Sequence, residues 1–135
     1  MLRIAAITLA AALLLPAIAQ AGCQRSVHDA GYVFVWASCT AVARQSPANV
    51  CQRTQDTPSH NVAFVSNVIR DDGRNRRYPA SGFFNAVQNQ HSITMNGNVS
   101  ACFASEAEAQ DELDRLLAQL SRDDYRILRV RMRDH

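Results

Sequence analysis

From Tyr32 onward, the chain alternates between dense apolar segments and polar breaks. Tyr32-Val33-Phe34-Val35-Trp36-Ala37-Ser38-Cys39 is rich in aromatic and β-branched residues, which suit an extended backbone. Both of its alternating faces are largely apolar, so it predicts a central strand covered on each side. A polar loop over 45–60 follows, carrying Pro47, Pro58 and Cys51. Residues 62–69 predict a second strand, stopped by the turn signal Asp71-Asp72-Gly73. Arg74-Asn75-Arg76-Arg77-Tyr78-Pro79 then reads as an exposed loop. Phe83, Phe84 and Val87 suit either one face of a short helix or an extended segment.

Within 91–103, Asn96-Gly97-Asn98 lies between apolar alternations and predicts a hairpin. A three-residue loop would pair Met95 with Val99, Ile93 with Ala101 and His91 with Phe103, keeping apolar residues together. The clearest element is a helix over 106–120. Ser105 stands at its N-cap with Glu108 at N3, which is the spacing of a capping box. Early acidic residues favour the helix dipole, and Ala109, Leu113, Leu116, Leu117 and Leu120 recur as one buried stripe. Residues 125–133 return to alternation, with Leu128, Val130 and Met132 inward and Arg129, Arg131 and Arg133 outward. Charge on the outer face of a final strand protects a sheet edge from stray pairing. The expected fold is α+β: a small, mostly antiparallel sheet of about five strands with one long amphipathic helix packed on it.

The first 21 residues follow a different logic. Arg3 precedes an uncharged apolar run, Ile4 to Leu15, which Pro16 ends. Small residues then supply two Ala-x-Ala cleavage sites, Ala17-Ile18-Ala19 and Ala19-Gln20-Ala21, of which the second is expected to be cut. The run is too short for a bilayer span of ~20 apolar residues. Ala21-Gly22-Cys23 matches the end of a lipobox, but Gln20 occupies the place of an aliphatic residue, so cleavage without lipidation is expected. The remainder, 22–135, is the length of one domain. Export to the periplasm or the medium, with no transmembrane segment after cleavage, is the expectation.

That compartment changes the meaning of the cysteines. Cys23, Cys39, Cys51 and Cys102 form an even set without any Cys-x-x-Cys pair, so two disulfides are expected rather than zinc. Of the three pairings, Cys39–Cys51 and Cys23–Cys102 are expected, the first closing a short loop. All 14 basic residues are arginine. After removal of Arg3, thirteen arginines face the 12 acidic residues, a balance of +1 that does not suggest a dedicated nucleic-acid binder.

Candidate chemistry is sparse. His28 beside Asp29, or His91, is the nearest approach to a general base for a small secreted hydrolase or nuclease. No nucleophile elbow or metalloprotease motif accompanies either one. No metal or other cofactor is expected, because His28, His60, His91 and His135 share no ligand spacing. Two arginine clusters, Arg70/Arg74/Arg76/Arg77 and Arg126/Arg129/Arg131/Arg133, suggest a polyanion surface as a further alternative. The leading expectation is a protein-binding module, an inhibitor, immunity or envelope accessory protein. Its partner would lie in the envelope or outside the cell. The expected contact residues are Arg74, Arg76, Arg77 and Tyr78, since Arg and Tyr are enriched among binding hot spots.

Overall fold

β1, Gly31–Ser38, takes the centre of the sheet because neither of its faces tolerates water. Val33, Val35 and Ala37 are buried on one side; Phe34 is buried on the other, flanked by half-buried Tyr32 and Trp36. The computed structural model describes residues 31–42, 51, 61–75 and 77–135. The strands that follow are β2 (Val62–Ser66), β3 (Ile69–Asp71), β4 (Val99–Phe103) and β5 (Arg126–Val130). Two helices accompany them, α1 (Ala80–His91) and α2 (Glu106–Arg122).

β1 pairs antiparallel with β4 along one edge and with β2 and β3 along the other. β5 lies beside β2 and runs parallel to it, from Val62↔Arg126 to Ser66↔Val130. The result is α+β with a mixed sheet of five strands, antiparallel in three of its four strand pairings. Among the described residues the long helix expected from the sequence is joined by a second, and the segment around Phe83, Phe84 and Val87, left open between helix and extended chain, is helical. α1 covers the face carrying Val33, Val35 and Phe64 with Phe83 and Val87. α2 covers the opposite face, where Ala109, Leu113 and Leu120 meet Phe34, Val65 and Phe103.

β2 and β3 are one strand interrupted by a bulge. Trp36 opposes Val65 and Val33 opposes Ile69, so Phe34 and Val35 stand against three residues, Ser66, Asn67 and Val68. The extra residue shifts the side-chain alternation, which lets Ile69 return to the α1 side of the core. Ser66 is fully buried, and its hydroxyl accepts the Val35 N–H at 2.8 Å, replacing the carbonyl that the bulge has moved away. The Asn67 amide reaches sideways instead. It accepts from Met132 N at 2.8 Å and donates to Met132 O at 3.1 Å, acting as one more residue of ladder. His135 N then donates to Arg70 O, and Asp72 N donates to His135 O, each at 2.9 Å. Pairing with β5 therefore continues beyond Val130 along the tail.

The predicted hairpin within 91–103 is not formed. His91 is the last residue of α1, closed by Ser92 in the left-handed region (φ 56°) with its N–H on Gln88 O. Ile93 and Met95 are buried in the α1-side core, and Met95 bridges to Val42. β4 pairs with β1, not with the segment before it. The alternation at 93–95 thus reflects insertion into the core, not a strand partner for 99–103. α2 keeps its expected start, with the Ser105 hydroxyl accepting Glu108 N at 3.2 Å, and extends to Arg122.

Cys39 and Cys51 are joined, with Cα atoms 5.3 Å apart. Among the described residues no cysteine is free. Cys23 and residues 1–21 lie outside the described residues. No helix among the described residues is long and apolar enough to cross a membrane.

Candidate functional site

The turn from Asp71 to Pro79 is shaped by its own side chains. Asp71 Oδ1 accepts Gly73 N, Asp72 Oδ1 accepts Arg74 N, and Asn75 Oδ1 accepts Arg77 N, at 2.9–3.0 Å. These are three successive bonds from an Asp or Asn side chain to the backbone two residues on, the local geometry for which these residues are favoured in turns. Gly73 supplies the required positive φ of 74°. Tyr78, before a cis peptide to Pro79, closes the turn. Its hydroxyl donates to Arg133 O at 2.9 Å and its ring stacks on His135, with centroids 4.2 Å apart. Gly82, on the first turn of α1, leaves room for that ring, since a Cβ there would collide with it.

The turn therefore presents Arg74 and Arg77 to solvent while Tyr78 looks back at the tail. Arg76 lies outside the described residues. The Arg74 guanidinium has only a loose contact with Asp72, at 3.9 Å, and 81% of its side chain is exposed. The hydrogen bond from Arg74 N holds the Asp72 carboxyl below the usual carboxylate range, with help from His135 and the Arg74 charge. Partial burial, together with the charges of Asp71 and Asp134, raises the Tyr78 hydroxyl above its ordinary 10.0.

Asp71, Asp72 and His135 bring ligand atoms within 4.8 Å of one another, a grouping that sequence spacing concealed. Each already serves the fold. Asp71 is buried and holds Gly73 N, and His135 is paired with Asp72 at 3.5 Å and stacked on Tyr78.

The histidine proposed as a base has a different position. His91 Nε2 lies 3.0 Å from Arg129 O, and the ring meets Phe64 edge-on at 5.7 Å. It joins α1 to β5. His28, Asp29 and His60 lie outside the described residues.

The second arginine cluster keeps its expected outward placement. Arg126, Arg129, Arg131 and Arg133 are exposed while Val130 and Met132 are buried. Beside it, a cleft of about 450 Å³ is lined by Asn67, Gln90, Arg129, Val130 and Arg131. A second depression, of about 350 Å³, lies between β4 and α2, where Phe34, Trp36 and Phe103 meet Leu116 and Arg115. Sequence reasoning missed both. For the first, the sequence pointed to Arg129 and Arg131 as part of a polyanion surface, and Asn67 interrupts an otherwise apolar strand, but neither signal located the hollow.

The chain matches no family model, no curated protein and no solved structure.

Proposed function

We propose that this is an exported, disulfide-tied binding module that engages a protein partner in the envelope or outside the cell through the 71–79 turn. The observation that carries the reading is the turn's preorganisation. Three side-chain-to-backbone bonds and the Tyr78 anchor fix a loop whose outward groups are Arg74 and Arg77. Ordering a loop on binding usually costs about 0.5–1.5 kcal/mol for each immobilised side chain, and a loop already fixed avoids much of that loss. Guanidinium forks match carboxylates, so an acidic partner surface fits this display. Arg76 belongs to the same contact, and Tyr78 supports it from behind.

Export rests on the 1–21 pattern and fits the Cys39–Cys51 bond, since disulfides persist in oxidising compartments. A second bridge, Cys23–Cys102, would complete the oxidised framework and tie the segment before β1 to β4. Peptide mapping of unreduced protein should recover that linked pair.

Cross-linking capture from an envelope extract, with the wild type and an Arg74→Ala/Arg77→Ala variant side by side, tests the binding role. The partner should be retained by the wild type and weakened by at least about thirtyfold in the variant, or ~2 kcal/mol. Equal retention of one specific partner by both proteins would remove the turn from the interface. Failure to enrich any protein would refute the module reading.

A further inference from the structure

We propose that the cleft between β5 and the C-terminal end of α1 is a binding site for an oxyanion, a carboxylate or phosphate group seated between Arg129 and Arg131. The proposal goes beyond the partner-binding reading and uses no residue of the 71–79 turn.

The cleft offers donors in excess of acceptors. Neither Arg129 nor Arg131 has a carboxylate partner among the described residues, whereas Arg74 and Arg115 are each paired with one. Arg129, in β5, and Arg131, one residue beyond its end, share one side by alternation with buried Val130 and Met132, and two residues of extended chain separate their Cα atoms by about 6.6 Å. Two planar forks at that separation can converge on the oxygens of one anion. Arg129 donates only a long bond, 3.4 Å, to Ser66 O, which rests the guanidinium beside the sheet and leaves its other N–H groups available.

The two amides in the lining are bound in opposite ways to their surroundings. Asn67 is spent: its oxygen accepts from Met132 N, and its nitrogen donates to Met132 O and Val68 O. Gln90 accepts from Arg131 N and donates to Arg131 O, both at 2.8 Å. One N–H of the Gln90 amide remains. The free polar capacity of the cleft is thus guanidinium and amide N–H, and no acidic side chain among the described residues lines it. Such a set attracts anions and repels cations.

Rigidity supports the same conclusion. Asn67 N donates to Val130 O, the Asn67 side chain grips Met132, and Gln90 grips Arg131. The backbone from which both arginines project is therefore held from two sides, so only the side chains need ordering on binding. At about 450 Å³ the cleft lies within the usual range for small-ligand sites, roughly 300–1,000 Å³.

The test uses the oxidised protein, titrated separately with inorganic phosphate and with succinate, at constant ionic strength maintained by sodium chloride. Nuclear magnetic resonance follows the Gln90 side-chain amide, the Arg131 backbone N–H and the Arg129 Nε–H. A saturable shift of these signals is expected with at least one anion. Response to phosphate alone assigns a phosphoryl ligand, response to succinate alone assigns a carboxylate, and either supports the site. Arg129→Gln and Arg131→Gln should each weaken binding at least about tenfold. Because both side chains are exposed, the variants should keep the wild-type circular dichroism. The proposal is overturned if neither anion shifts these signals, if sodium chloride alone reproduces the shifts, or if they persist in the folded double variant.

Discussion

Replacing Ser66 by alanine removes a single oxygen from the interior and tests how the bulge is held. Ser66 is fully buried, and so is Val35, whose N–H the serine hydroxyl accepts at 2.8 Å. The hydroxyl also donates to Asn67 O at 2.9 Å, fixing the bulge backbone. Alanine fits the space, so almost no packing is lost, but the Val35 N–H is stranded in the middle of the central strand. An unsatisfied buried donor costs about 1–3 kcal/mol, and the second bond sits where water can partly replace it. We expect Ser66→Ala to lose about 2 kcal/mol. Urea unfolding should show a lower midpoint with an unchanged slope, because the surface exposed on unfolding is the same. Hydrogen exchange adds a local readout, in which the Val35 amide should lose protection beyond the global change. A loss below about 0.5 kcal/mol with Val35 protection unaltered would refute the argument. The Ser66 hydroxyl would then have no part in closing the bulge.

His91→Ala should lower stability by about 1–2 kcal/mol, from the lost bond to Arg129 O and the lost edge-on contact with Phe64. Partner retention should not change in the folded variant, and a hydrolytic activity abolished by this substitution would reverse our assignment of His91 as structural. The raised Tyr78 hydroxyl means that the folded protein keeps this proton at a pH where the unfolded chain has released it. Stability should therefore fall as pH rises above the ordinary value of 10.0, and urea midpoints from about pH 9 to about pH 11 should show a decline that Tyr78→Phe reduces.

What the sequence revealed, and what it hid, follows from the range over which each signal acts. α2 was legible because its cap, acidic first turn and leucine stripe all lie within one helix's length, and the structure uses the same residues. β1 was legible because two apolar faces admit few alternatives. α1 was obscured by its composition: Gly82, Asn85 and Asn89 are weak helix formers, and Pro79 at the N-cap makes no side-chain bond. Contacts with Phe64, Val33 and Val35 on the sheet, absent from any local window, hold it in place. The site divided in the same way. The Asp71-Asp72-Gly73 turn could be read locally, whereas Tyr78 gripping Arg133 and His135 spans more than fifty residues. That long-range pairing holds the Tyr78 hydroxyl and ring against the tail.

The two edges of the sheet are treated unequally, and this bears on where a partner can attach. β5 pairs with β2 through one side of its backbone, so the outward groups of Arg129 and Arg131 would be open to another strand. Instead, His91 approaches Arg129 O, and Gln90 occupies both N–H and C=O of Arg131. The last two residues of α1 thus occupy hydrogen-bonding positions that a foreign strand would need, in addition to the outward arginine charges. Such a side-chain cover masks the edge while leaving the arginine side chains projecting beyond it. A partner at β5 would therefore be recognised through charge rather than through added strand pairing, in keeping with an acidic ligand. β4 has a different character: Val99 is 53% exposed and its sequence, Val-Ser-Ala-Cys-Phe, carries no charge. The masking of β5 thus depends on the very residue, Gln90, that also lines the anion cleft, so edge protection and ligand seat are built from one helix terminus.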